Sequence, residues 1–86
     1  MSNNIIFEVI EELNFTKLSG ILYWRREDAW KSIEDKSNGF IDRHSDIVIT
    51  GFEIDQERST VCIEFVDKET KELHYLYYEI RPRIVH

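Results

Sequence analysis

Three segments in the C-terminal half of the chain have the composition and length of β-strands. They span residues 46–54, 59–67 and 72–81, and all are rich in β-branched and aromatic residues. Polar connections of four residues, 55–58 and 68–71, separate them. Because loops this short join antiparallel neighbours, the pattern predicts a three-stranded antiparallel meander.

The two loops also predict how the strands pair. The first loop places Ile54 opposite Ser59, and the second places Asp67 opposite Glu72. Directly opposed residues share a face of a sheet, so one face collects side chains that are almost all apolar, and we expect it to form the core: Val48, Thr50, Phe52, Ile54, Val61, Ile63, Phe65, Leu76, Tyr78 and Ile80. The opposite face mixes apolar, aromatic and acidic side chains: Ile47, Ile49, Glu53, Thr60, Cys62, Glu64, Val66, Leu73, Tyr75, Tyr77 and Glu79.

The N-terminal half predicts one helix and leaves two segments open. Residues 27–37 begin with acids, carry apolar residues on one side and run into a Ser-Asn-Gly stop, which together indicate a helix. Residues 5–13 fit a helix or a strand, and we favour a helix; residues 18–24 either extend the 27–37 helix or form a strand. The expected fold is α+β, a single small domain over residues 1–86 with one or two helices packed on one face of an antiparallel sheet.

Composition narrows the class of protein. Eleven Lys and Arg against seventeen Asp and Glu give a net charge of −6, with 42% hydrophobic and 13% aromatic residues, too many for a disordered chain. A lone cysteine cannot form an intramolecular disulfide, and neither a signal peptide nor a membrane-spanning run is present. The acidic balance argues against direct binding to nucleic acid. We expect a small cytoplasmic globular protein that contacts neither membranes nor nucleic acid.

The residue types used in catalysis do not form a recognisable site. The three histidines are scattered and Cys62 lies in the middle of a predicted strand, so no metal site is expected. The glycines are isolated and form no phosphate loop; Gly39 is most simply the helix stop and Gly51 a strand bend or bulge. Carboxylate pairs such as Glu11–Glu12 and Glu27–Asp28 are interpreted as residues of solvated faces and helix starts. We therefore predict a protein that is not an enzyme and carries no cofactor.

Charge is the most informative feature of the sequence. Residues 42–79 contain ten acidic and four basic residues and so account for the whole net charge. Tyrosines and carboxylates on one sheet face suit recognition of a basic protein surface. We predict a binding protein that neutralises a basic partner, in the manner of a toxin-immunity protein or an inhibitor of a nuclease or other nucleic-acid-binding enzyme, by covering its active surface. The predicted contact residues are Glu53, Glu64, Tyr75, Tyr77 and Glu79, with Asp55 and Glu57 at the rim.

An alternative prediction involves no inhibition. Apolar residues on the mixed face, namely Ile47, Ile49, Val66 and Leu73, fall at one end of the meander. Together with the unpaired edge of the meander they could join two copies of the chain. In that case the protein is a self-associating structural module, present as a homodimer.

Overall fold

The computed structural model describes residues 4–85 and contains one sheet and one helix. The elements in chain order are β1 (Asn4–Leu13), β2 (Thr16–Tyr23), α1 (Arg26–Arg43), β3 (Ile47–Asp55), β4 (Thr60–Asp67) and β5 (Leu73–Val85). The five strands form an antiparallel sheet in the order β2-β1-β5-β4-β3. The helix packs on one face, so the fold is α+β, with the predicted meander extended by two further strands.

The β4–β5 hairpin has the register that the sequence predicts. Ile63 lies opposite Leu76, and the N–H of Asp67 donates to the carbonyl of Glu72 at 3.0 Å. The two like charges at this position are tolerated because the Asp67 carboxylate turns toward the loop. There it accepts hydrogen bonds from the N–H groups of Thr70 and Glu69, which lower the pKa of Asp67.

The β3–β4 hairpin pairs two residues away from the predicted register. Asp55 lies opposite Thr60, and Ile54 lies opposite Val61 rather than Ser59. Ser59 belongs to the turn because its φ of 57° is in the left-handed region, which strand residues do not adopt. Its carbonyl accepts from the N–H of Ile80 at 2.9 Å, and its hydroxyl accepts from Arg26 of the helix.

A bulge in β3 changes which side chains face the helix. The pairing shifts between Ile49 and Gly51, the position where the glycine predicts a bend or bulge. Beyond the bulge, Ile47 and Ile49 pack against the core, whereas Val48 and Thr50 are exposed. The predictions that Val48 and Thr50 are core residues, and that Ile47 and Ile49 lie on the opposite face, are therefore wrong. Phe52 and Ile54 point to the helix side as predicted but are not core residues, because they remain exposed.

Residues 5–13 form strand β1, so the prediction of a helix there is wrong. The strand lies between β2 and β5, and Glu8, Val9 and Ile10 are buried in succession. A strand buried on both faces loses the alternation of apolar and polar residues, which is why periodicity could not identify it. Of the two structures left open for residues 18–24, the strand is the one present, as part of β2.

The helix runs well past its predicted end at residue 37. Gly39 lies inside α1 rather than after it. The additional turns place Phe40 against the sheet, with its ring centroid 5.1 Å from that of Phe65. Burial of this ring outweighs the cost of a helical glycine, which is about 1 kcal/mol.

The core lies between the helix and the sheet. The predicted core residues of β4 and β5 are all buried, and β1 and α1 add to them: Val9, Ala29, Ile33, Val61, Ile63, Phe65, Leu76, Tyr78 and Ile80. Tyr78 is accommodated because its hydroxyl donates to the Glu11 carboxylate at 2.6 Å. Burial with a satisfied hydroxyl lets this large ring contribute its full apolar area.

Two serines of α1 provide a test of this packing. Ser37 is 3% exposed and its Oγ has no hydrogen-bond partner within residues 4–85, whereas Ser32 Oγ accepts from the hydroxyl of Tyr23 at 2.6 Å. We expect Ser37→Ala to raise the free energy of unfolding by about 1 kcal/mol, because it removes an unsatisfied buried hydroxyl. The matched change Ser32→Ala should give no such gain. Urea denaturation measures both; equal gains in the two variants would show that helix propensity alone is responsible.

Candidate functional site

The sheet face opposite α1 is not covered by any element of residues 4–85. We call this surface the open face; its central residues come from four strands and are Glu12, Glu53, Cys62, Glu64, Tyr75, Tyr77 and Glu79. They are half-buried or exposed. The face therefore offers a surface of aromatic and acidic side chains on a rigid sheet.

Cross-strand pairing determines which of the predicted residues are neighbours. One row across the sheet runs Glu53, Cys62, Tyr77, Glu12, each opposite the next on the adjoining strand. Glu64 and Tyr75 lie opposite each other in the row beside it. Four of the predicted contact residues, Glu53, Glu64, Tyr75 and Tyr77, thus form one patch around Cys62.

The other predicted residues lie at the margins of this patch. The Glu79 carboxylate accepts from the Tyr77 hydroxyl and from Arg81 Nε, both at 2.7 Å, and the pKa of Glu79 is lowered, chiefly by Arg81. Asp55 accepts from the N–H of Arg58 at 3.1 Å in the β3–β4 turn, and Glu57 is exposed in the same turn. Glu79 therefore has a counter-ion within the chain, and Asp55 and Glu57 lie at the rim.

Ion pairs divide the open face into two electrostatic regions. Glu8 is buried between Lys17 at 3.6 Å and Arg83 at 3.4 Å. Within residues 4–85, Glu12, Glu53 and Glu64 have no ion pair; the Glu64 carboxylate accepts only a hydroxyl hydrogen bond. The unbalanced negative charge of the face is thus concentrated on the patch around Cys62.

A depression of about 250 Å³ lies in this patch. Its lining is aromatic and acidic: Glu12, Phe15, Cys62, Tyr75, Tyr77 and Glu79. The Phe15 ring is 85% exposed and its centroid lies 6.0 Å from that of Tyr75. The depression therefore has an aromatic wall on one side and carboxylates at its margin.

The turn between β1 and β2 positions Phe15. Asn14 and Phe15 both have positive φ, 50° and 69°, as a two-residue type I′ hairpin turn requires. Asn14 Oδ1 accepts from the N–H of Tyr75, and the N–H of Asn14 donates to the Tyr75 carbonyl, both at 2.9 Å. These bonds fix the turn against β5 and keep an apolar ring at the surface.

Sequence reasoning missed Phe15 and Glu12. Glu12 lies in the segment for which the sequence favours a helix, so its position opposite Tyr77 does not follow from the sequence. The signal for Phe15 is its position after Asn14, in a short gap between two apolar segments. This gap is recognisable as a hairpin turn only when both segments are known to be strands.

The titration of Cys62 and Tyr77 reflects this environment. Burial raises the pKa of the Cys62 thiol, and the charges of Glu53 and Glu64 raise it further. Burial, followed by the hydrogen bond to Glu79, raises the pKa of Tyr77 to about 12. Both groups stay neutral at physiological pH, so the charge of the patch is that of its carboxylates.

Comparison with known proteins leaves the site to be interpreted from its own chemistry. No protein-family model, no curated protein and no solved structure matches the chain. Residues 4–85 contain no group of His, Cys, Asp and Glu side chains arranged to bind a metal ion. No helix in this part of the chain is long and apolar enough to cross a membrane.

The lone cysteine can report the potential of the patch. We expect Glu53→Gln combined with Glu64→Gln to lower the pH at which Cys62 becomes reactive toward iodoacetamide, because neutral amides no longer oppose thiolate formation. Glu34→Gln combined with Glu69→Gln changes the net charge equally but lies elsewhere on the surface. Alkylation rates across pH, followed by mass spectrometry, measure the effect; identical profiles for the two double variants would contradict it.

Tyr77 also predicts a loss of stability in alkali. A phenol whose pKa is higher in the folded than in the unfolded chain ionises first in the unfolded chain, so stability falls as pH rises from about 10 toward about 12. We expect the urea midpoint to fall less steeply in Tyr77→Phe than in the wild type. Burial and Glu11 raise the pKa of Tyr78 as well, so part of the loss should persist in the variant. Unchanged steepness would exclude Tyr77 as a contributor.

Proposed function

We propose that the protein binds a basic protein partner through the open face and neutralises it by covering its active surface. A toxin-immunity protein or an inhibitor of a nuclease or similar enzyme acts in this way. The observation that supports the proposal is the patch itself. Glu12, Glu53 and Glu64 lack ion pairs within residues 4–85; Glu12 lines the aromatic depression, and Glu53 and Glu64 lie beside its lining residues Cys62 and Tyr75. Carboxylates without counter-ions, held on a rigid sheet, are complementary to Lys and Arg side chains.

The depression suits the end of a Lys or Arg side chain from the partner. Its aliphatic stem would lie over Cys62 and the tyrosine rings, and its charge would lie between Phe15 and the carboxylate of Glu12. A cation over an aromatic face gains about 0.5–1 kcal/mol at an exposed site, and more when water is excluded. The neighbouring tyrosines supply contact area at a low cost in conformational entropy.

Occlusion accounts for inhibition without chemistry. In a cleft that binds nucleic acid, Lys and Arg side chains contact phosphates, and the carboxylates of Glu53 and Glu64 would take the place of those phosphates. On this proposal the protein is not an enzyme, needs no cofactor and acts in the cytoplasm. Charge attraction would also speed association and make it sensitive to salt.

A second candidate function is self-association, and one observation favours it. β3 is an edge strand whose apolar side chains Phe52 and Ile54 extend beyond the helix and remain exposed. An uncovered edge of this kind is a surface onto which another strand can add.

Charge-matched variants test the inhibitory proposal. We expect Glu12→Gln, Glu53→Gln and Glu64→Gln together to weaken binding to the captured basic partner by about 100-fold, on the basis of about 1 kcal/mol for each exposed charge. Asp35→Asn, Asp42→Asn and Glu69→Gln make the same change in net charge at exposed positions away from the open face. The partner is captured from cell extract or chosen from the basic proteins encoded beside the gene for this chain. Surface plasmon resonance at several salt concentrations then measures its association with each variant.

The comparison distinguishes binding through the carboxylates of the open face from attraction by the net charge of the protein. If both triple variants weaken binding equally, the effect comes from net charge and the open face is not the site. If binding is insensitive to salt and to the open-face changes, the proposal of an electrostatic inhibitor is wrong. Loss of inhibition of the partner's activity only with the open-face variant would support occlusion.

A further inference from the structure

The helix leaves part of β3 uncovered on the core side of the sheet. Phe52 and Ile54 are 48% and 57% exposed although their side chains point to the side that carries α1. A groove of about 340 Å³ separates them from the helix and is lined mainly by apolar side chains, including Trp30, Ile33 and Val61. Within residues 4–85 nothing fills this groove.

A second exposed edge lies at the end of β5. The last pair between β4 and β5 is Thr60 with Glu79, so residues 81–85 pair with β1 alone. Ile84 in this segment is 59% exposed. The β1–β5 ribbon thus projects beyond the meander, with one edge unpaired among the described residues.

The backbone groups of the projecting segment are available for pairing. Ile80 donates its N–H to the Ser59 carbonyl, on the side toward β4. Successive residues of a strand direct these groups to opposite sides, so Ile84 directs its N–H and carbonyl to that same side, where no strand lies. Pro82 offers its carbonyl there but no donor.

The same alternation exposes the backbone of β3. The Asp67 N–H bonds to the Glu72 carbonyl, on the side toward β5, so even-numbered residues of β4 bond to β3. Cys62 and its partner Glu53 therefore form a hydrogen-bonded pair. Phe52 and Ile54 then direct their N–H and carbonyl groups outward.

The two unpaired edges also match in side-chain pattern. On β3 the acids Glu53 and Asp55 lie on the open face, whereas Phe52 and Ile54 lie on the helix side. On β5 the bases Arg81 and Arg83 lie on the open face, whereas Ile84 lies on the helix side. Both segments expose the backbone groups of their apolar residues, so an antiparallel pair brings acid beside base and apolar beside apolar.

We propose that two copies of the chain form a two-fold dimer in which residues 81–85 of each copy add to the β3 edge of the other. The outline of the sheet has a step, because residues 81–85 of β5 extend past the end of the meander and β3 forms the edge of the meander itself. A two-fold axis perpendicular to the sheet places the β5 extension of each copy beside β3 of the other, and the paired strands are then antiparallel. Such an interface closes on itself and leaves neither edge exposed. Ile84 of one copy then covers the exposed side chains of Phe52 and Ile54 in the other.

Charge favours the pairing of β5 with β3 over the pairing of two β3 edges or of two β5 edges. Two β3 edges would bring Glu53 and Asp55 near their own copies, and two β5 edges would do the same with Arg81 and Arg83. The arginines contact Glu79 and Glu8 through Nε. Guanidinium groups have further donors, so an additional carboxylate can bind to each.

The dimer does not rest on the proposed inhibitory function. It uses the edge of the sheet and the carboxylate of Glu53, whereas Glu12, Glu64 and the depression lined by Phe15, Tyr75 and Tyr77 stay accessible in it. A monomeric chain that still binds a basic partner would overturn the dimer alone. A dimer that binds no partner would overturn inhibition alone.

Complementary charge reversal provides the test. One variant carries Glu53→Arg and Asp55→Arg, and the other carries Arg81→Glu and Arg83→Glu. We expect the wild type to sediment as a dimer at high concentration, each variant alone to be monomeric, and an equimolar mixture to form a dimer in which both edge pairs have opposite charges. Analytical ultracentrifugation over a series of concentrations measures each state.

Arg83→Glu removes an ion pair with buried Glu8 and can unfold the chain. A second test therefore uses Ile84, a neighbouring side chain that carries no charge. Ile84→Asp should raise the dimer dissociation constant about tenfold or more, by placing a carboxylate against apolar side chains. Leu22→Asp makes the same kind of change at an exposed position on β2, at the far edge, and should leave the dimer intact. A wild type that is monomeric up to millimolar concentration, or a dimer that Ile84→Asp does not weaken, would overturn the proposal.

Discussion

The pairing of β1 with β5 is the constraint on which the rest of the structure depends. Ten consecutive residue pairs join the two strands, from Asn4 with Val85 to Leu13 with Leu76. These contacts connect the two ends of the chain, and they turn a C-terminal meander and an N-terminal hairpin into a single sheet. They also place Glu11 beside the hydroxyl of Tyr78 and Glu12 beside Tyr77. Both the core and the candidate site therefore depend on one long-range pairing.

A single helix cannot cover a five-stranded sheet, and the surfaces of the protein follow from this limit. Helix α1 lies over β1, β2 and β5 and reaches β4 through the contact of Phe40 with Phe65, and one whole face of the sheet has no covering element within residues 4–85. The exposed face carries side chains with polar ends, such as Tyr75 and Tyr77, whose rings can pack while their hydroxyls stay solvated. The uncovered part of β3 exposes Phe52 and Ile54 instead. The aromatic and acidic open face and the apolar edge at β3 are therefore both exposed for the same reason: one helix is too small to cover the sheet.

Ion pairing, rather than the number of charges, gives the open face its character. Arg81 and Arg83 compensate Glu79 and Glu8 at one end, while Glu53 and Glu64 remain without an ion pair at the other. The Arg81–Glu79 pair is local to β5, but a charge density calculated along the sequence cannot show that Arg83 compensates Glu8, because only the pairing of β1 with β5 brings these two residues together. The chemistry proposed for the face therefore depends on which carboxylates lack partners in space.

Local sequence determined the C-terminal meander and most of its core. Alternation and loop length were enough for β4 and β5, where Ile63 and Leu76 pair as predicted, because a hairpin is a short-range structure with one buried face. Tertiary structure alone decided that residues 5–13 form a strand, since burial on both faces removes the periodic signal. It also extended α1 past Gly39, through the packing of Phe40 on Phe65, and reversed the facing of residues 47–50 of β3 through a bulge. Of the site, the sequence supplied Glu53, Glu64, Tyr75 and Tyr77, which lie on locally paired strands, whereas Phe15 and Glu12 joined it only when β1 paired with β5.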